Sequence, residues 1–178
     1  PFGFNRIITP HNYDSKIIDL LGVKYILSLT DLDSPKLKKI FQEGQTRVYE
    51  NERVFPRVFF VESIELANNK YDIIKKMFED DFDLRKTAIV NESLDIPTNL
   101  SMKWSKGKSQ VIEYSENKVS IMVENEKEGF LVLTDSFYPT WRAKLNSIET
   151  KVYRTDYNFR GIVVPKGKHT ITFYNSLL

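Results

Sequence analysis

The sequence has no cysteine, only two histidines and only seven glycines among its 178 residues. Without cysteine the chain can form no disulfide, no catalytic thiolate and no cysteine-based zinc site. The two histidines, His11 and His169, are far apart and lack the close spacing of metal ligands. The glycines are isolated, so there is no glycine-rich loop of the kind that holds a phosphate. The sequence therefore predicts no metal and no cofactor.

Long apolar runs and blocks of like charge are also missing. No apolar run approaches the roughly 18 residues that a membrane-spanning helix needs. The 26 basic and 24 acidic residues are interspersed and leave a net charge of +2, so a nucleic-acid partner is not predicted. Neither a Gly-x-Ser-x-Gly elbow nor another catalytic constellation is visible, and no catalytic residue is predicted.

The two ends of the chain suggest a larger parent protein. The sequence begins at Pro1 rather than methionine, and it stops within the apolar stretch "FYNSLL". We therefore expect that this is a piece of a longer chain, whose targeting elements lie elsewhere.

The first half alternates helical and strand patterns. Short helices are predicted in "YDSKIIDLLG" and "NKYDIIKKMFEDD", and strands in "VKYILSL", "QTRVYEN", "PRVFFVES" and "KTAIVNE". A further helix is predicted in "DSPKLKKIFQEG", with Ser34 as N-cap, Pro35 at the first helical position and Gly44 as the stop. This order predicts a small α/β subdomain over residues 1–95.

The second half is predicted to be entirely β. The segment "SLDIPTNLSMKWSKGKS" breaks the periodicity, which places the domain boundary between residues 95 and 96. Beyond it, short strands follow one another with polar turns between them, as in "VSIMVE", where apolar and polar residues alternate. The prediction for residues 96–178 is an antiparallel β-sandwich of jelly-roll type, so the whole chain is of the α+β class.

The stretch "DSFYPTWRAKLN" has the highest density of aromatic and turn residues. It admits two interpretations: a platform on which sugar rings stack, or a stiff corner that fills the core of the sandwich. We favour the corner for Phe137, Pro139 and Trp141. Residues that combine an apolar body with a polar tip are the better candidates for contact with a glycan or an acceptor polymer. These are Tyr138, Arg142, Tyr157 and Arg160.

Four stretches together resemble one family of proteins. They are "LLGVKYILS", "VYENERVFPRVFFV", "GFLVLTDSFYPTWRAKLN" and "TKVYRTDYNFRGIVVPKGKHTITFYN". They resemble the large soluble region near the C-terminus of the YfhO-type bacterial membrane proteins, which are multi-spanning, GT-C-like glycosyltransferases. Two positions depart from the family pattern, because Thr140 replaces a glycine and Asn146–Ser147 replaces an Asp-Gly turn.

The resemblance implies a parent protein that moves a sugar from a polyprenyl-phosphate donor onto a cell-envelope polymer. Teichoic acid of Gram-positive bacteria is the acceptor suggested for such proteins, and the catalytic carboxylate lies on a loop outside this chain. The expectation is a non-catalytic domain on the extracytoplasmic face of the membrane, which contacts the membrane helices of the same parent chain and guides the acceptor. The alternatives are a carbohydrate-binding module and a purely structural lid or protein-interaction domain.

Overall fold

The computed structural model describes residues 12–94, 104 and 107–177, which fall into two compact units, 1–55 and 56–178. The first unit contains one short helix and three strands. They are α1 (Lys16–Leu20), β1 (Tyr25–Ser28), β2 (Leu37–Glu43) and β3 (Thr46–Asn51). The second unit contains the remaining elements. They are β4 (Val58–Val61), β5 (Ser63–Leu66), α2 (Lys70–Phe78), β6 (Thr87–Val90), β7 (Lys108–Tyr114), β8 (Lys118–Asn125), β9 (Gly129–Leu133), β10 (Trp141–Leu145), β11 (Ile148–Thr150), β12 (Tyr153–Thr155), β13 (Phe159–Val164) and β14 (Gly167–Asn175).

The first unit is a three-stranded antiparallel sheet, in the order β1-β3-β2, with α1 before it. Ser15 caps α1 by accepting a hydrogen bond from the backbone N–H of Ile17 at 3.3 Å. Gly22, with φ of +74°, lies just beyond the end of α1, as the sequence predicts.

The helix predicted over "DSPKLKKIFQEG" is wrong, because this segment forms β2 and pairs with β3. The Ser34 hydroxyl donates to Asp14 instead of capping a helix. Gly44, with φ of +55°, lies in the two-residue turn between β2 and β3, where glycine is favoured at the first position. Its large apolar residues Ile40 and Phe41 are exposed, at 45% and 54%, and so do not form the buried face that a helix here would need. The turn at Gly44 and the pairing with β3 therefore determine the structure of this segment, in spite of the helix-capping residues in its sequence.

A buried ion pair connects α1 with the start of β2 in this unit. The Lys36 ammonium lies 2.6 Å from the Asp19 carboxylate, and the Lys36 side chain is only 1% exposed. Lys36 also donates to the carbonyl of Ser15, and the Asn51 side chain donates to Asp19 at 2.8 Å. Each charge thus has additional hydrogen bonds, which a buried pair requires to offset its loss of hydration.

The second unit contains two sheets. One has five strands, in the order β11-β10-β14-β8-β7, and the other has six, in the order β4-β9-β13-β12-β6-β5. All pairs in the two sheets are antiparallel except β5 with β6, which are parallel and are connected through α2. The chain is therefore mostly β, with antiparallel sheets.

One core cluster contains side chains from both sheets of the second unit. Its members from the five-stranded sheet alternate along β8, where Val119, Ile121 and Val123 are buried. Buried residues of β4, β9 and β13, such as Leu131 and Ile162, complete it from the other sheet. This shared core fits the predicted β-sandwich.

The predicted small α/β subdomain and the jelly-roll connections are not confirmed. Within the described part of residues 1–95, β4, β5 and β6 belong to the same sheet as β9, β12 and β13, and not to the unit of β1–β3. The predicted boundary at 95/96 falls outside the described residues and stays a prediction. The compact units divide between Phe55 and Pro56.

Two tight turns need backbone conformations that ordinary residues rarely adopt. Asn146 and Ser147 have φ of +47° and +74° in the two-residue turn between β10 and β11, which is the pattern of a type I′ turn. Asp156 and Tyr157 have φ of +46° and +73° after β12. Thr140 does not have a positive φ, so its position requires no glycine.

Candidate functional site

A pocket of about 610 Å³ lies in the second unit, at the ends of strands from both sheets. Its walls combine hydroxyl, carboxylate, guanidinium and aromatic groups. They come from Tyr114, Ser115, Glu116, Asp135, Ser136, Trp141 and Arg160. Convergent polar groups beside an aromatic surface are typical of small-ligand sites.

Asp135 is fixed in the pocket wall by two partners. One Arg57 nitrogen donates to its carboxylate at 2.7 Å, and the Tyr114 hydroxyl donates to the same carboxylate at 3.2 Å. The Arg57 guanidinium also lies 4.9 Å from the centre of the Tyr114 ring. Because Asp135 follows β9 and Tyr114 ends β7, this cluster connects the two sheets. Partial burial and the nearby Asp135 charge raise the pKa of Tyr114, so its hydroxyl stays protonated at neutral pH.

Arg160 forms the inner wall, and it is only 3% exposed. Its guanidinium carbon lies 3.5 Å from the centre of the Trp141 ring, and its Nε donates to the carbonyl of Ser136 at 3.0 Å. Burial lowers the pKa of Arg160 to about 10, and the nearby Asp135 carboxylate opposes that shift. The side chain is therefore still charged at neutral pH.

The sequence candidates have different positions relative to this pocket. Arg160, one of the predicted contact residues, lies in its wall but is buried, because β13 is buried on both faces. Tyr138 and Arg142 are exposed, and Tyr157 is 37% exposed in its turn. None of these three is among the described residues that line the pocket.

The residues of the predicted corner are less buried than a core corner would be. Phe137 and Trp141 are half-buried, and Pro139 is exposed. Trp141 packs against the core cluster and also lines the pocket. The backbone N–H of Trp141 donates to the carbonyl of Tyr138 at 3.0 Å, which closes a turn around Pro139.

Arg57 and Tyr114 have no sequence signal that would mark them as site residues. Arg57 follows Pro56 in an ordinary strand pattern, and Tyr114 ends an edge strand whose residues are mostly exposed. They meet Asp135 only because β4, β7 and β9 come together in space. Their long separation in sequence, 57 residues between the two, hides the contact from any local pattern.

Over residues 12–94, 104 and 107–177 there is no group of three or more His, Asp or Glu side chains placed to hold a metal ion. The Nδ1 of His169 accepts a hydrogen bond from the side-chain amide of Asn146 at 2.7 Å, whereas His11 lies outside the described residues. Neither helix in the described part of the chain is long and apolar enough to cross a bilayer.

The antiparallel sheets and the pocket define a β-sheet domain with a potential small-ligand site. Residues 65–175 match the family described as "Bacterial membrane protein YfhO", and the chain belongs to this family. The chain is also similar to "Uncharacterized protein YfhO" of Bacillus subtilis (strain 168), with 24% identity over 95 residues. That alignment covers 52% of this chain and 11% of the relative, so the chain spans only a small part of that protein. No solved structure significantly matches the chain.

Proposed function

We propose that this chain is a non-catalytic accessory domain of a membrane-embedded, GT-C-like glycosyltransferase that modifies a cell-envelope polymer. The proposed location is the extracytoplasmic face of the membrane of a Gram-positive bacterium, next to the membrane helices of the same parent chain. Its role there is to bind the acceptor polymer, with teichoic acid as the candidate, and to guide it toward the catalytic part.

The pocket at Tyr114, Asp135, Trp141 and Arg160 is the observation that carries this proposal. It lies within the residues that match the family, and its groups can contact a polyol chain or a sugar through both hydrogen bonds and an aromatic surface. Tyr138, Arg142 and Tyr157 are proposed as additional polymer contacts, because they are exposed or half-exposed and carry polar tips.

A binding titration of the purified 178-residue chain with envelope polymers tests the proposal. Saturable binding is expected, and Trp141→Leu should weaken it about tenfold, since an aromatic contact contributes roughly 1 kcal/mol or more. Tyr114→Phe should weaken it severalfold by removing the hydroxyl that contacts Asp135.

Tyr174→Phe is the matched control, because it also removes a hydroxyl that donates to a carboxylate, that of Glu149, but outside the pocket. Its affinity should equal that of the wild type. Equal binding by all variants would place the contact elsewhere. The absence of binding to any envelope polymer would contradict the proposal and favour a structural lid.

A further inference from the structure

The guanidinium of Arg160 is incompletely satisfied by the protein. Its Nη1 nitrogen is buried and has no hydrogen-bond partner among the described residues. Within the same residues, no carboxylate lies within ion-pair distance of Arg160, although Asp135 is near enough to influence it. Buried charges are normally paired, because the loss of hydration is otherwise uncompensated.

Arg154, a neighbouring arginine in the same hairpin, has the hydrogen-bond acceptors that Arg160 lacks. It lies directly opposite Arg160 in the β12–β13 pair and also stacks on an aromatic ring, that of Tyr157, at 5.7 Å. Its Nε donates to the carbonyl of Tyr157 at 2.6 Å, and its Nη2 donates to Asn158 at 3.3 Å. The same residue type in the same hairpin therefore finds acceptors, whereas Arg160, a residue that lines the pocket, has one nitrogen without an acceptor among the described residues.

The other charges of the site do not cancel that of Arg160. The Asp135 carboxylate is already engaged by Arg57 at 2.7 Å and by the Tyr114 hydroxyl. Glu116 is exposed at the rim, where water screens its charge. An acidic ligand that enters the pocket would thus meet a carboxylate that is already paired with Arg57 and a guanidinium that has no ion-pair partner among the described residues.

We propose that the pocket is a subsite for one anionic oxygen group, a phosphate or a carboxylate of the envelope polymer, held by the guanidinium of Arg160. The planar fork of arginine matches both groups, and stacking on Trp141 fixes its orientation. This inference rests on the proposed function and adds to it the chemical feature that the domain recognises.

The test uses three probes of similar length: a short poly(glycerol phosphate), an oligogalacturonate and an uncharged polyglycerol. Binding is followed by calorimetry and by the fluorescence of Trp141 in a Trp104→Phe background, since the chain has two tryptophans. At least one acidic probe should bind, and the difference between the two acidic probes identifies phosphate or carboxylate. The neutral probe should bind at least tenfold more weakly.

Arg160→Gln should reduce the affinity for the acidic probe about ten- to hundredfold, because it removes a charge-assisted, bidentate hydrogen bond. Arg160→Lys should recover part of the loss, because it restores the charge without the fork. Arg47→Gln removes a charge of the same kind from the unit of residues 1–55, where Arg47 pairs with Asp31 at 2.8 Å, and should leave the affinity unchanged.

The wild-type protein supplies an independent measurement, should Arg160→Gln not fold. The NMR signals of the Arg160 guanidinium should shift with the acidic probe and remain still with the neutral one. If the neutral probe binds as tightly as the acidic ones and Trp141→Leu alone abolishes binding, the anionic subsite is refuted while the proposed function stands. If no polymer binds, both fail.

Discussion

Asp156 shows how strongly the surroundings of one residue can change its pKa. It is 2% exposed in the turn after β12, where its backbone N–H donates to the carbonyl of Ile89 and its Oδ1 accepts from the Ile89 N–H at 2.7 Å. Its Oδ2 is buried without a partner among the described residues. Burial raises the pKa of Asp156 from 3.8 to about 7, because the ionised form would lose its hydration.

The contribution of Asp156 to the stability of the chain should therefore fall as the pH rises from about 4 to about 7. Below this window both states hold the proton; within it the unfolded chain releases the proton while the native chain retains it. Asp156→Asn keeps an acceptor for Ile89 and cannot ionise. Denaturant unfolding should show the wild type losing up to about 4 kcal/mol relative to the Asn variant across this window.

Asp135→Asn provides the comparison, since Asp135 has its partners Arg57 and Tyr114 near the surface. It should not remove the loss of stability between pH 4 and pH 7. A parallel pH dependence of wild type and Asp156→Asn would show that Asp156 is ionised in the native state and would refute the argument.

At the scale of elements, the quality of a sequence prediction depends on whether local signals and pairing agree. β8 was predictable because its alternating apolar residues face one core, and Val119, Ile121 and Val123 are all buried. β2 was not, because its helix-like cap and stop residues serve a loop and a hairpin turn. The helix α2 was predicted as well, and its buried residues are Ile73 and Met77, whereas Tyr71 is 75% exposed.

The candidate site was predictable only in part, because it depends on strand pairing as well as on local sequence patterns. The sequence indicates Trp141 and Arg160 as notable residues, because aromatic and charged residues cluster near them. Their contact across the ends of β10 and β13 depends on which strands pair, as does the meeting of Arg57 with Asp135. No single-strand pattern contains that information.

Close packing of β13 on β9 leads to a second prediction. A Cβ atom at Gly161 would lie 2.4 Å from both the ring of Phe130 and the Thr155 hydroxyl, and Phe130 is fully buried. Gly161→Ala should thus destabilise the chain by about 1–3 kcal/mol, the usual cost of overpacking a core. Thermal or denaturant unfolding measures the change.

A compensating variant separates this clash from other effects. Phe130→Leu shortens the side chain that the new methyl group would meet, so the double variant Gly161→Ala/Phe130→Leu should be more stable than the sum of the single effects predicts. Strict additivity would mean that Phe130 does not limit the space at Gly161.

At the scale of the whole molecule, the compact unit of residues 1–55 has a buried ion pair of its own. This is the pair Lys36–Asp19, with both side chains nearly inaccessible. Lys36→Met leaves the Asp19 carboxylate buried, with Asn51 as its remaining side-chain partner among the described residues, and it should cost about 3–5 kcal/mol. Unfolding followed by a probe placed in this unit is the appropriate measurement.

The double variant Lys36→Met/Asp19→Leu is the control for that prediction. It removes both charges, so it should recover much of the stability that the single variant loses. A double variant less stable than Lys36→Met would show that the hydrogen bonds of Asp19 to Asn51 outweigh the unpaired charge.

The strand order of the six-stranded sheet also determines when its strands can pair during protein synthesis. β4 pairs with β9, so Val58 meets Leu133 across 75 positions of sequence, and in the described residues β4 has no other strand partner in that sheet. During synthesis the apolar strand "VFFV" must wait until β9 has emerged before it can pair, and such distant pairings form slowly. Until then the nascent chain exposes an unpaired apolar strand that can aggregate. The yield of folded protein in a cell should therefore depend on how well the nascent chain is protected from aggregation before β9 has emerged.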